Sequence, residues 1–358
     1  MDKAKKKKLI IKLTVAAVVV VLMLTAVPFA VSGIVYSAVF GSRCETADYL
    51  RYSVSDFDGL VEERVTFKSG AAKLQGYVYS AADIDPKGVV VICHGFGGGG
   101  CNQYMDSAYV FVKNGYYTFM FDATGCDLSE GNGTGGFPQF TLDLNAAIDY
   151  VKSNDRFGGL PVMLLGHSMG GFAALSVLNL RSDIAAVAAL SAFCESADMI
   201  ALEGEAKAGK ISLIFMPYVR LFELVKFGGA AAGTAITGLR KTDCPVMIVH
   251  SEDDKTVPIR VGYDKLINEF GGDERFTFIK YKDKGHNFID HSDEAIEYIG
   301  RFNEAYAAWF NETSPDSAAC AEYFRENLDR SVWNDLLDEE LYRRILAMFN
   351  GAAENGGE

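Results

Sequence analysis

Gly166-His167-Ser168-Met169-Gly170-Gly171 follows the apolar run Val162–Leu165 and opens the helical stretch Met169–Leu180. The G-x-S-x-G spacing suits a chain that reverses sharply from strand to helix with a serine at the apex. Side chains larger than glycine at 166 or 170 would collide with the neighbouring strand and helix, and the helix start aims backbone N–H groups at a developing oxyanion. The bland reading is a small-residue turn that lets a helix pack. A serine hydroxyl is a poor nucleophile without a base, and the expected base is a histidine oriented by a carboxylate. Of the five histidines, His94 and His167 belong to glycine motifs and His250 ends an apolar run. His286 lies in Lys284-Gly285-His286-Asn287-Phe288, after the run Phe276–Tyr281, and is the expected base. His291 reads as a cap for the helix that begins near Asp293.

The acid should fall between Ser168 and His286. Val246–His250 leads into Ser251-Glu252-Asp253-Asp254. A carboxylate just past a buried strand can reach the imidazole, but residue chemistry does not choose among Glu252, Asp253 and Asp254. An oxyanion hole is also required. His94-Gly95-Phe96-Gly97-Gly98-Gly99-Gly100 follows the first buried strand, and its glycines allow close backbone approach. The N–H groups of Phe96 and Met169 are the expected donors. No Gly-Lys-Ser/Thr follows these glycines, so a phosphate cradle is excluded, and G-x-G-x-x-G is out of register with a helix start.

These residues need a scaffold. Gly88–Cys93, Tyr116–Phe121, Val162–Leu165, Ile184–Leu190 and Val246–Val249 are continuous apolar runs, the mark of strands buried on both faces. Phe276–Tyr281 is a further strand. Val65–Phe67 and Leu74–Tyr79 alternate, as an edge hairpin does. Helical stretches fall at 103–113, 140–152, 169–180, 260–270 and 293–310. The alternation predicts an α/β fold, a mostly parallel central sheet with helices on both faces. Its ligand site belongs at the carboxyl ends of the strands.

On His94-Gly95-Phe96-Gly97, Gly166 to Gly171, Asp254-Lys255-Thr256-Val257-Pro258 and Gly285-His286, the chain resembles the α/β-hydrolase fold family. The likeness is to its serine aminopeptidase/monoacylglycerol-lipase-like branch and to related membrane-anchored bacterial hydrolases, over roughly Val61 to Phe310. The resemblance implies Ser168 as nucleophile, His286 as base, Asp254 as acid through D-x-x-V-P, and Phe96 and Met169 as oxyanion donors. One segment departs from the family's D-x-R-G-x-G-x-S-x-G. Thr124 and Asp127 stand where the pattern has arginine and glycine, which leaves that loop without its usual salt bridge and tight turn. In this fold the lapse of alternation at about 193–243 is a cap over the pocket. Its segment Ile211–Phe227 is apolar nearly all round, with Pro217 expected to kink it. The segment reads as a helix buried against the core, or as an acyl pocket or a lid that touches membrane. Gly228–Gly233 reads as a hinge.

The chain has 358 residues, 49% of them apolar and 23% charged, which excludes disordered and fibrous classes. Its net charge of −13 argues against a nucleic-acid partner. Six lysines nevertheless crowd residues 1–12, and Leu13–Phe40 carries no charge. That stretch is long enough to cross a bilayer and exceeds a signal-peptide core. The expected organisation is a cytoplasmic basic tail at 1–12, a transmembrane signal-anchor at 13–40 and a linker at 41–60. A hydrolase domain at 61–312 and an acidic helical extension at 313–358 follow. Val31-Ser32-Gly33 is the site for the alternative, a cleaved signal followed by secretion. In the extension, 318–327 and 336–349 have helical periodicity and 351–358 reads as frayed. The seven cysteines form no CxxC or Cys/His cluster, and Cys101 and Cys126, after neighbouring strands, are candidates to pair. The chemistry calls for no metal and no organic cofactor. The reading is a membrane-anchored serine hydrolase of carboxylic esters. Hydrolysis of short peptides is the nearest rival, and a non-catalytic binding protein is the alternative of another class.

Overall fold

The computed structural model describes residues 2–82 and 85–355. Helix α1 (Lys3–Phe40) leads into the hairpin β1 (Val61–Ser69) and β2 (Ala72–Ser80). Then come β3 (Val89–Cys93), α2 (Met105–Lys113), β4 (Tyr117–Phe121), α3 (Phe137–Ser153), β5 (Val162–His167), α4 (Met169–Ser176) and β6 (Ala186–Leu190). A helical insertion holds α5 (Ser196–Ala208), α6 (Met216–Phe227), α7 (Gly229–Ala232) and α8 (Ala235–Leu239). The chain returns through β7 (Val246–Ser251), α9 (Tyr263–Phe270), β8 (Phe276–Tyr281) and α10 (Asp293–Thr313). It closes with α11 (Ser317–Asn327), α12 (Arg330–Trp333) and α13 (Glu339–Asn355). Residues 356–358 of the segment expected to fray lie outside the described residues, and 351–355 continue α13.

The described strands form one sheet in the order β1-β2-β4-β3-β5-β6-β7-β8. The β1–β2 and β2–β4 pairs are antiparallel and every other pair is parallel. This is the mostly parallel α/β architecture expected from the strand pattern. The uninterrupted Val-Val-Val-Ile-Cys of β3 and Ala-Val-Ala-Ala-Leu of β6 are buried throughout, because helices cover both faces there. One core cluster joins α3 and α4 to one face, and the other joins α2 and α13 to the opposite face. Through Leu341, Tyr342, Ile345 and Phe349, all essentially buried, the C-terminal extension is thus part of the second core.

The N-terminal helix is more than a tether. Its 38 residues extend about 57 Å, well beyond a hydrocarbon core of about 30 Å. The surplus packs on the body. Ser32, Tyr36 and Phe40 are buried along one face. Tyr36 Oη donates to Glu223 Oε1 at 3.0 Å, and the Tyr36 ring lies 5.2 Å from that of Phe222. Pro28 has no N–H for the carbonyl four residues back, Leu24. Tyr218 Oη of α6 donates to that carbonyl instead.

Residues 41–46, expected as a free linker, are woven into the body. Cys44 forms an isolated parallel bridge with Cys126, and the Arg43 guanidinium donates to the carbonyls of Asp127, Ser129 and Gly131. The cap also differs from expectation. It packs against α1 and α3. Only one face of its middle segment joins the core, through Val219 and Phe227, while Ile211, Ile214 and Val225 are 67%, 66% and 71% exposed. Pro217 sits in the first turn of α6, where a missing N–H costs nothing, so it starts a helix and does not kink one.

If α1 is a structural element, Tyr36→Ala should destabilise the full chain by about 3 kcal/mol, the scale of a large buried aromatic truncated in a core. Thermal melting in detergent measures it. Melting identical to the parent would make α1 a separable tether.

Candidate active site

The β5–α4 bend carries the serine. Ser168 has φ 56° and ψ −116°, a left-handed conformation that a non-glycine residue holds only under constraint. The constraint is visible at the flanking glycines. A Cβ on Gly166 would overlap the Gly170 carbonyl, and a Cβ on Gly170 would overlap the Cys93 carbonyl at the end of β3. The Ser168 N–H is held by the Leu190 carbonyl at 2.8 Å. Met169 opens α4, so its N–H has no partner within the helix.

The structure brings the distant residues to this bend. His286 Nε2 lies 2.8 Å from Ser168 Oγ, and His286 Nδ1 lies 2.7 Å from Asp254 Oδ2. Asp254 Oδ1 accepts the N–H groups of Thr256 and Val257 at 2.9 and 2.8 Å. Burial alone would raise the Asp254 pKa; the hydrogen bond and charge of His286 outweigh it and hold the carboxyl below its ordinary value. The other two acids have separate tasks. Asp253 Oδ1 accepts from Ser251 Oγ at 2.6 Å and from the Gly285 N–H at 2.8 Å, which pins the loop before His286. Glu252 pairs with Lys280 on the surface.

Around this chain runs a second one that the sequence did not suggest. The Gly95 N–H donates to Tyr104 Oη at 3.1 Å, and Tyr104 Oη lies 2.8 Å from His167 Nδ1. His167 Nε2 in turn lies 3.0 Å from the His286 carbonyl. A carbonyl can only accept, so Nε2 carries the proton and Nδ1 accepts from the tyrosine. Burial, followed by the charge of His286, lowers the His167 pKa to about 4. The ring is neutral at physiological pH. His94 acts the same way in mirror: Nε2 accepts the Ala123 N–H at 3.1 Å and Nδ1 donates to the Gly95 carbonyl at 2.7 Å. Burial lowers its pKa too. Both histidines tie the glycine loop to its neighbours.

The loop at Asp122–Gly131 keeps its shape by substitution of partners. Asp127 holds the left-handed φ of 35° expected of the missing glycine, a conformation that Asp tolerates better than most residues. Its carboxylate accepts from Thr46 N and Oγ1 and pairs with Arg51 at 2.9 Å. The usual arginine is replaced by Arg43 and Arg51 from the segment after α1.

A cavity of about 450 Å³ opens beside Ser168. Gly95–Gly100, Tyr104, Asp106, Asp290 and His291 line it, with Trp333 and Leu336 from the C-terminal extension as a wall. No residue of the 193–243 cap lines it. The cap borders a separate cavity of about 270 Å³ near Glu223. The cap expected over the site is therefore absent from its lining, and Trp333 and Leu336 of the extension join Leu50, Tyr52 and Ile299 there instead. The extension's signal in the sequence was only helical periodicity, which says that a face is buried but not against what. His291 does not cap α10; Ser292 does, through Oγ to the Ala295 N–H. His291 instead pairs with Asp290 at 2.9 Å. Burial would lower its pKa, but Asp290 holds it above the ordinary 6.5. This pair stabilises the fold fully below that value, and the contribution is lost as pH rises through the folded-state pKa. Asp106, facing the same cavity, is pushed up to about 7 by burial and then by the Asp290 charge. Among the described residues no group of three His, Cys, Asp or Glu is placed to hold a metal ion.

Comparison with known proteins agrees with this architecture. Residues 84–230 match the family described as serine aminopeptidase, S33. The lysophosphatidylserine lipase ABHD12 of Danio rerio is 24% identical over 179 residues, 49% of this chain and 45% of that protein. The chain thus matches less than half the length of that curated relative. An esterase from Pyrococcus furiosus superposes with a TM-score of 0.53 at 18% identity, over 76% of this chain and 96% of the esterase. The acylaminoacyl peptidase of Pyrococcus horikoshii superposes with a TM-score of 0.51 at 14% identity, over 64% of this chain and 38% of the peptidase. The chain has the α/β-hydrolase fold.

The tautomers are a test of the second chain. Long-range ¹H–¹⁵N NMR between pH 6 and 8 should find His167 neutral with the proton on Nε2, and His94 neutral with the proton on Nδ1. A protonated His167 ring in that range would break the Tyr104–His167–His286 linkage.

Proposed function

We propose that this hydrolase is a membrane-anchored serine esterase that cleaves carboxylic esters through an acyl-enzyme on Ser168. The observation that carries the reading is the continuous path Ser168 Oγ–His286 Nε2, His286 Nδ1–Asp254 Oδ2, at 2.8 and 2.7 Å. In the forward step Ser168 Oγ attacks the carbonyl carbon while His286 Nε2 takes its proton. Asp254 holds the Nδ1–H tautomer and stabilises the imidazolium. The N–H groups of Phe96 and Met169 receive the oxyanion. Collapse expels the alcohol, which takes the proton from His286. Water then repeats the sequence on the acyl-enzyme and regenerates the serine. No step needs a metal or a cofactor.

Three observations favour an ester presented by a membrane. An 18-residue window of α1 has a mean hydropathy of 2.6, and the lysines before it set the basic end on the cytoplasmic side and the body outside. Tyr218 satisfies the Leu24 carbonyl within this span, where water is not present to do so. That contact draws the cap, with its exposed Ile211, Ile214 and Val225, down beside the lipid. Finally, Phe40 at the end of α1 touches Phe96 of the glycine loop, with ring centroids 5.9 Å apart. The mouth of the site therefore opens where the helix enters the body. The lysophosphatidylserine lipase relative points to the same substrate class. Retention of α1 is favoured over signal cleavage because Ser32, within the candidate cleavage site, is buried in the fold.

A second reading, hydrolysis of a short peptide, rests on Asp106 and Asp290 in the cavity wall, which suit a cationic amine. A fluorophosphonate probe should label the full chain and not Ser168→Ala. Asp254→Asn should lower kcat by about 10⁴-fold, the scale of a wrong histidine tautomer in such triads, whereas Asp253→Asn should lower it only slightly. On a panel of acyl esters of graded length and aminoacyl arylamides, ester turnover should dominate. Faster arylamide turnover would favour the peptidase reading, and absent labelling of folded protein would favour a non-catalytic binding protein.

A further inference from the structure

We infer that Cys44 and Cys126 form a disulfide that ties the segment leaving α1 to the loop beneath the glycine-rich oxyanion turn. The pairing differs from the Cys101–Cys126 candidate of the sequence. Cys101 is fully buried, with its N–H on Asp122. The neighbour that the backbone sets opposite Cys126 is Cys44.

Two hydrogen bonds fix the register. The Cys44 N–H donates to the Gly125 carbonyl, and the Asp127 N–H donates to the Cys44 carbonyl, both at 3.0 Å. They straddle residue 126, so Cys44 and Cys126 face each other across a parallel bridge. Paired neighbours of this kind have backbones about 4.8 Å apart, inside the Cα range of roughly 4.4–6.8 Å that a disulfide spans. Residues opposed in a ladder project to the same side, so the two thiols leave the backbone on one face of the bridge. Anchors on both flanks hold the register: Arg43 on the carbonyls of Asp127, Ser129 and Gly131, and Thr46 on the Asp127 carboxylate.

The pair is also asymmetric in reactivity. Cys126 is buried and Cys44 is partly exposed. The hydrogen bond from Cys126 lowers the Cys44 pKa to about 7, against burial, with a further contribution from the Gly97 N–H. Cys44 is thus the accessible attacking thiolate and Cys126 the resolving thiol. The Cys44 thiolate attacks a disulfide of the oxidant, glutathione disulfide or a thiol–disulfide oxidoreductase, and expels one thiol. The Cys126 thiolate then attacks the Cys44 sulfur and expels the second. One S–S bond forms, the oxidant's S–S bond breaks, and its two sulfurs carry away both protons and both electrons. In the cell the oxidising side is the extracytoplasmic one proposed above; the reaction with glutathione does not depend on that placement. Two residues after Cys44, Thr46 Oγ1 accepts the Gly100 N–H at 3.2 Å, so the bridged segment is also tied to the glycine-rich loop that carries the proposed oxyanion donor.

The test is non-reducing peptide mapping of the full chain in detergent, equilibrated with glutathione disulfide and then alkylated. A Cys44–Cys126 linkage is expected, with an intact mass lower by two hydrogens, and Cys101→Ser should retain it. Cys44→Ser and Cys126→Ser should each abolish it. Oxidation should also raise the melting temperature of the parent chain by roughly 5 °C, through closure of a long loop. A linkage through Cys101, a stable glutathione adduct on Cys44, or free Cys44 and Cys126 after equilibration of folded protein would each overturn the inference.

Discussion

Everything at the site depends on one close approach, the end of β3 against the first turn of α4. The Cys93 carbonyl occupies the space that any side chain at Gly170 would need. Because the two elements touch there, α4 begins immediately after β5 and the chain has no room for a relaxed turn. Ser168 is forced into its left-handed conformation and its hydroxyl projects from the sheet end. The same contact sets the first N–H groups of α4 beside the loop that leaves β3. A serine at the apex of the bend and free N–H groups at the helix start beside it thus follow from a single packing constraint. The strain at Ser168 is sustained by the buried core on either side, where β3, β5 and α4 are almost fully excluded from solvent.

A rigid bend is insufficient without a base loop held to match it, and the structure supplies two independent ties. Asp254 fixes the imidazole through Nδ1, while Asp253 fixes the backbone at Gly285, whose φ of 59° lets the loop turn toward the serine. From the other side, His167 reaches across to the His286 carbonyl. The Gly95–Tyr104–His167–His286 path therefore couples the glycine-rich loop to the loop that carries His286. Its members are neutral hydrogen-bonding groups, which is the economical choice in a buried place: a charged His167 beside His286 would be unfavourable on both desolvation and repulsion. Lys284 adds a third hold. Its ammonium donates to the His291 carbonyl and to Asp338 in the C-terminal extension. The extension thus supports the base loop as well as walling the cavity.

Much of this was legible in the residues. Fully buried parallel strands leave continuous apolar runs, so β3 to β7 could be placed from sequence, and the ordered G-x-S-x-G and Asp254 segments fall just past them. What was not legible depends on partners far apart in the chain. Tyr104 and His167 are ordinary residues until the turn at 101–104 is packed beside β3, next to β5. The replacement of the missing loop arginine by Arg43 and Arg51 involves residues about 80 positions from their targets, and no local pattern records it. The cap was misjudged for a related reason. An all-apolar helix looks the same whether it faces a protein core or an apolar surface of another kind, and only the position of α1 distinguishes the two. His291 was read as a cap from its place before α10, but its neighbour Ser292 has the short side chain that reaches the free N–H groups of the first turn.

The N-terminal helix is longer than a membrane span requires. An anchor that served only as a tether would need about 20 apolar residues and then a flexible exit. Here the helix continues for another two to three turns and spends that length on protein contacts at Ser32, Tyr36 and Phe40. Pro28 falls where the free part gives way to the packed part. The carbonyl it leaves unpaired is taken by Tyr218, so the break in the helical ladder becomes the docking point of α6. Below that point no residue of the helix is buried; above it, one face belongs to the core. The orientation of the hydrolase body relative to the helix axis is therefore fixed by side chains on both, and with it the direction in which the cavity beside Ser168 opens. Phe40, at the last residue of the helix, meets Phe96 in the loop over the serine. The last turn of α1 and the glycine-rich loop beside Ser168 are thus consecutive contacts of one packed surface.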